Sequence, residues 1–153
     1  MTPHLIKFEL DHIRQIAPRE IVSEERIRGG IENLQRHEYL AFTAVLGEKI
    51  IGCAGICVGV AYGEQGEEIK DPRAGYVWVN FAEDIERHKF WFHRNVKRYL
   101  RACVRTYRLA WVMAAVAETS MRNCKWIERL GFRAIGKLTY QGESHYRYVL
   151  EIK

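Results

Sequence analysis

Between Glu83 and Lys89 the chain sets three carboxylates (Glu83, Asp84, Glu86) directly before three basic side chains (Arg87, His88, Lys89). The segment lies where a β-branched and aromatic run, Gly75 to Phe81, gives way to helical spacing, so it reads as a strand-to-helix turn. Such a turn aims unpaired helix N–H groups and the positive end of the helix dipole at one point, which makes it an anion site suited to a phosphate. Arg87, His88 and Lys89 strengthen that field, and the three carboxylates oppose it. Glu83, just past the strand, is also the nearest candidate for accepting a proton.

Other chemistries find little support. The four cysteines, Cys53, Cys57, Cys103 and Cys124, sit inside apolar runs without framework spacing, so they are expected to be free buried thiols. There is no C-x-x-C or H-E-x-x-H, and His88 and His93 are five apart, off one helical face. No metal is expected. No apolar run reaches bilayer length and no secretion signal is visible, so the expected compartment is a cytoplasm, with no membrane partner. A length of 153 residues suits one domain, residues 1–153, and the formal charge of +5 favours an acidic partner without choosing one.

The elements that must position these groups follow from periodicity. Leu5 to Phe8 reads as a strand, and Leu10 to Ala17 as a short helix ended by Pro18. Ser23 is a candidate N-cap for a helix carrying Ile27, Ile31 and Leu34, which Gly29-Gly30 weakens or breaks. Leu40 to Leu46 and Lys49 to Ala61 form a hairpin about Gly47-Glu48, and Gly52, Gly55 and Gly59 predict a bulge or a close backbone approach. The acidic, proline-containing stretch Tyr62 to Arg73 reads as an exposed loop. Strand 75–81 and the long helix 87–108 follow. Then come strand 109–116, short helix 120–130, and a hairpin of 133–140 with 144–152. Helices interrupting a mixed sheet indicate an α/β (α+β) architecture.

At 100° per residue, the long helix separates into two arcs. Phe92, Val96, Tyr99, Leu100, Cys103, Val104 and Tyr107 should lie on the sheet. Arg94, Lys97, Arg98, Arg101, Arg105 and Arg108 form the other arc. That arc is either a solvated outer face, with or without carboxylate partners elsewhere, or a footprint for polyphosphate, RNA or DNA. No RNA-binding aromatic motif accompanies it, so nucleic acid is not the expected partner.

The βαβα segment ending in Leu130-Gly131-Phe132, together with the overall element order, resembles the GNAT N-acetyltransferase superfamily over nearly the whole chain. The resemblance implies a GNAT-like fold, acetyl-CoA as cofactor and a small-molecule or protein amine as acceptor. It implies that the cofactor lies between the central strand and the next, with the backbone of Val79 to Phe81 facing the acyl carbonyl. It places the diphosphate at the amides of residues 85 to 89, beside Arg87, His88 and Lys89. Two departures stand out. The glycines of the family's Q/R-x-x-G-x-G/A turn are missing between Ala82 and Lys89. Laying N-x-x-A-x-x-x-Y-x-x-x-G-F on Ser120 to Phe132 puts Ser120 and Asn123 at cofactor positions and Ile127 where a proton-donating tyrosine would stand. Glu83 would then be the base, and Tyr140 or Tyr146 a substitute acid. Ser120 also suits an N-cap, and Gly131 the residue that ends the helix.

Tyr76-Val-Trp78, the glycine-free turn and the Trp126-Ile127 ending are similar to the small GNAT-like proteins of tailed bacteriophages, internal virion proteins among them. That likeness implies a phage or prophage origin, a place in the host cytoplasm or the virion, and a phage or host protein as partner, with little or no acyl transfer.

Overall fold

The computed structural model describes residues 2–16, 24–140 and 142–153, and within them every side chain but those of Arg26 and Glu83. The elements run β1 (His4–Lys7), α1 (His12–Gln15), α2 (Glu24–Gln35), β2 (Glu38–Leu46), β3 (Lys49–Tyr62) and β4 (Glu68–Phe81). A 3-10 helix (Glu83–His88) leads into α3 (Lys89–Tyr107), followed by β5 (Trp111–Ala117), α4 (Met121–Arg129), β6 (Arg133–Tyr140) and β7 (Glu143–Glu151). The seven strands form one sheet in the order β1-β2-β3-β4-β5-β7-β6. Every neighbouring pair is antiparallel except β4 with β5.

Strand alternation divides the core into two layers. Val77, Val79 and Phe81 of β4 join Phe42, Ile51, Phe92, Val96, Leu100 and Cys103 on the α3 side. Tyr76 and Trp78 join Phe8, Ile16, Leu34, Cys53 and Cys57 on the α1–α2 side. The apolar arc of α3 therefore lies on the sheet as its spacing predicts. All four cysteines are free and buried.

Several expectations need correcting. Tyr62 to Arg73 is largely exposed but only partly a loop: β3 runs to Tyr62 and β4 starts at Glu68, leaving residues 63–67 as the turn, with Tyr62 opposite Glu68 and Val60 opposite Lys70. The proline is tolerated because the register shifts between Val58 and Val60, where Gly59 is left-handed (φ 82°), and residues 71–74 pass the bulge without ladder partners on β3. Helix α2 runs unbroken through Gly29-Gly30, since burial of Leu34 against the sheet outweighs the low helix propensity of two glycines. Helix α1 is a single turn; Ala17, Pro18 and Ser23 lie outside the described residues. Helix α3 starts at Lys89 rather than Arg87, the preceding residues winding as a 3-10 helix. Ser120 precedes α4, yet its side chain makes no capping bond; its carbonyl accepts the Cys124 N–H at 3.0 Å. Gly131 does end α4, with φ 103° and its N–H on the Glu128 carbonyl. Among the described residues no helix is long and apolar enough to cross a membrane, and no cluster could hold a metal ion.

Candidate active site

The parallel pair β4–β5 is joined only over Ala74, Gly75 and Tyr76, opposite Trp111, Val112 and Met113. Past that point each strand keeps its outer partner. β4 stays on β3 as far as Phe81 opposite Gly52, and β5 stays on β7 as far as Ala117 opposite His145. The two central strands therefore part and leave a V-shaped opening through the sheet. Ala82 donates its N–H to Ile51 on the β3 side at 3.0 Å. Residues along a strand alternate, so the N–H groups of Val79 and Phe81 point the other way, into the opening. At the closed end of the paired stretch, Asp71 accepts Trp111 Nε1 at 3.0 Å and the Arg73 N–H at 2.9 Å.

On the α3–α4 side the opening meets a cleft of about 270 Å³. Phe81, Phe92 and Trp126 supply an aromatic wall, with ring centroids 5.1 and 5.4 Å from Phe81. Four cations, Lys89, Arg122, Lys125 and Arg129, line it against one carboxylate, Glu86. The expected repulsion from the acidic turn is largely removed. Lys49 holds Asp84 at 2.8 Å, drawing its carboxyl below the usual range, and Arg122 holds Glu86 at 3.0 Å. The turn's own amides are less free than expected, because a 3-10 helix closes bonds three residues back; the Ile85 N–H is already on the Ala82 carbonyl. The cleft is thus built to hold an anion by side chains rather than by a glycine-rich backbone.

On the opposite face lies a cavity of about 460 Å³. Tyr62, Tyr76, Trp78 and Tyr140 give it aromatic walls, with Asn80 and His145 among its polar groups. Tyr62 accepts a hydrogen bond from Asn33 at 2.7 Å, and burial pushes its phenol up to about 12, so it stays protonated. Trp78 Nε1 is buried without a partner among the described residues. Among them, the one carboxylate on the lining is Glu68, already paired with Arg36 at 2.9 Å.

His145, 5% exposed on β7, has Nδ1 3.0 Å from the Glu143 carbonyl. A carbonyl can only accept, so Nδ1 carries the proton in the neutral ring and Nε2 is left basic. The Tyr140 ring stands edge-on to it, 6.3 Å between centroids.

The structure distributes the sequence-derived candidates as follows. Phe81, Lys89 and Asn123 meet in the cationic cleft, while Val79 and Tyr140 border the opposite cavity. Arg87, His88 and Ser120 are not on either lining. Glu83 opens the 3-10 helix, and its side chain lies outside those described. Ile127 is 2% exposed and packed in the core. Sequence reasoning missed Arg122, Lys125 and Arg129, although their i, i+3, i+7 spacing marks one face of a helix. It also missed His145, a lone histidine in a strand of alternating pattern.

No family model matches the chain, and no curated protein sequence matches it. Solved structures do. The aminoglycoside acetyltransferase AAC(6')-Ib in complex with coenzyme A superposes with a TM-score of 0.71 at 16% identity, covering 98% of this chain and 95% of its own. The fold is that of the GNAT acetyltransferases. A GNAT acetyltransferase from Bacillus anthracis gives 0.63 at 12% identity, covering 97% and 94%. A chimera of spermidine N-acetyltransferase SpeG from Vibrio cholerae and hSSAT gives 0.62 at 17%, covering 97% and 95%. The mixed seven-stranded sheet with helices on both faces agrees with the GNAT fold throughout the chain.

Proposed function

We propose that the chain is an acetyl-CoA-dependent N-acetyltransferase that uses side chains where the family's turn uses glycines. The observation that carries this reading is the V between β4 and β5, open to a cationic cleft on one face and an aromatic cavity on the other. Acetyl-CoA, when bound, supplies a thioester acyl group. Lys89, Lys125 and Arg129 hold its diphosphate, with Arg122 paired to Glu86 beside them, and Asn123 and Trp126 line the same cleft. The N–H groups of Val79 and Phe81 face the acyl carbonyl oxygen, where fixed donors favour developing negative charge.

The acceptor occupies the aromatic cavity. His145 Nε2 takes the proton that an ammonium must lose before it can attack, and Tyr140 holds a phenolic proton on the same wall. The solved neighbours act on an aminoglycoside and on spermidine by their names, both polycations. A polycation needs several free carboxylates, and the described lining offers only the engaged Glu68. We therefore assign a primary monoamine with a flat apolar body, which the aromatic walls of Tyr62, Tyr76, Trp78 and Tyr140 suit.

The test is release of free thiol from acetyl-CoA in the presence of a panel of primary amines, read with a thiol reagent. Amine-dependent release supports transfer. A second reading, a phage protein that keeps the fold as an interaction module in the virion or the host cytoplasm, is favoured by the buried Ile127 standing where a tyrosine donor would be. Absence of thiol release with every amine, together with no binding of coenzyme A, would support that reading and overturn the first.

A further inference from the structure

The cleft and cavity leave the solvent face of α3 unexplained. Arg94, Lys97, Arg98, Arg101 and Arg105 line a shallow groove of about 510 Å³, with Ala102 the one uncharged residue on its lining. None of these five cations has an ion-pair or hydrogen-bond partner among the described residues, although Arg14, Arg36, Lys49, Arg122, Arg133 and Lys137 all do. A face paired with carboxylates elsewhere is therefore not what the fold builds.

We propose that this face of α3 binds a single-stranded polynucleotide. Arg94 and Arg98, Lys97 and Arg101, and Arg101 and Arg105 are like charges one helical turn apart, an arrangement that destabilises a helix. A merely solvated face would intersperse glutamates at no loss. Four of the five are arginines, whose planar fork matches phosphate oxygens two at a time.

The cations form one continuous track along the helix. From Arg94 to Arg105 the helix rises about 16 Å at roughly 1.5 Å per residue, so the five cations recur about every 4 Å along it. The same line of side chains continues, one turn before Arg94, to Phe90, which is 73% exposed, the most exposed large apolar side chain among the described residues. Lys89 Nζ lies 5.5 Å from its ring centroid. An exposed aromatic ring at the end of a cationic track is a stacking platform for an unpaired base. A duplex keeps its bases stacked on one another and has none to offer Phe90, which is why a single strand is preferred.

The experiment is fluorescence anisotropy of the full chain with labelled 12-nucleotide RNA and DNA, each single-stranded and duplex, from 50 to 200 mM KCl. Single strands of either sugar should bind, with log affinity falling against log salt at a slope near −3.5 if all five cations meet phosphates, at about −0.7 per contact. Arg98→Glu with Arg101→Glu should reduce affinity by 100-fold or more. Phe90→Ala should reduce it by about 5- to 150-fold, the range of one stacked base. All three residues are exposed, and unchanged melting of the variants separates lost binding from lost fold. No binding at 50 mM salt would overturn the proposal. So would duplex binding as tight as single-strand binding, or a Phe90→Ala protein that binds like the parent.

Discussion

Tyr76 and Met113 are the last residues at which the two central strands face each other in register. Beyond them β4 and β5 remain strands, each held by its outer neighbour, so the gap is a rigid feature of the sheet rather than a frayed end. The Trp111–Asp71 hydrogen bond ties the strands at the closed end of the paired stretch, and the aromatic pairs at Phe81 line the rim of the gap on the α3 side. Whatever enters from the cationic cleft meets whatever enters from the aromatic cavity at this one place.

Trp78, a wall of the acceptor cavity, packs closely on Gly55. A Cβ there would lie 2.7 Å from the Leu40 carbonyl oxygen, 2.7 Å from the Trp78 ring and 2.8 Å from Ala41 Cβ. Gly55→Ala should therefore destabilise the fold by about 1–3 kcal/mol, the usual range for overpacking, as measured by urea unfolding. An unchanged midpoint would show that β2 and Trp78 give way without loss.

The thiols give a pH signature. Burial pushes Cys53 up to about 11, with the Thr43 hydrogen bond opposing, Cys57 up to about 12, and Cys103 up to about 11. The folded state holds these protons more tightly than the unfolded chain does. The stability this confers is complete below about pH 9 and is lost as pH rises through 9 toward 11 and 12. Unfolding followed by tryptophan fluorescence should show a falling midpoint over that interval. At pH 8 the thiols should be modified only as fast as the chain opens, with prompt labelling in denaturant.

His145 carries the acid–base prediction. His145→Ala should lower kcat/KM for amine acetylation by about 10²- to 10⁴-fold, while binding of coenzyme A is unchanged because the residue lies on the opposite face. An arylalkyl monoamine should be a better acceptor than spermidine or kanamycin in the same assay. Equal loss of cofactor binding would show that the change had disturbed the sheet instead.

Much of the architecture was legible because alternation and helical spacing are local properties. The hairpin at Gly47-Glu48, the two arcs of α3 and the helix stop at Gly131 need only a few neighbouring residues to be read. Residues 68–73 misled because acidic side chains and Pro72 look like a loop, whereas a bulge at Gly59 lets the proline sit beside the ladder. The site was harder to see because its electrostatics are settled over long separations. Lys49 neutralises Asp84 and Arg122 neutralises Glu86 across roughly 35 residues each, and no spacing rule connects them. The acidic turn therefore reads as hostile to phosphate until the fold brings the cations in. His145 carries no motif; only its Glu143 hydrogen bond and its place on the cavity wall distinguish it from a core histidine.

Replacement of a glycine grip by a side-chain grip is tested most directly by melting the chain with and without coenzyme A. At a hundredfold excess over Kd a ligand stabilises by about 2.7 kcal/mol, which corresponds to roughly 5–10 °C for a chain of this size. The parent should show that rise, and Lys125→Glu with Arg129→Glu should abolish it at the same concentration while leaving the unliganded melt unchanged. A parent with no rise, or a double variant that rises as far as the parent, would contradict it.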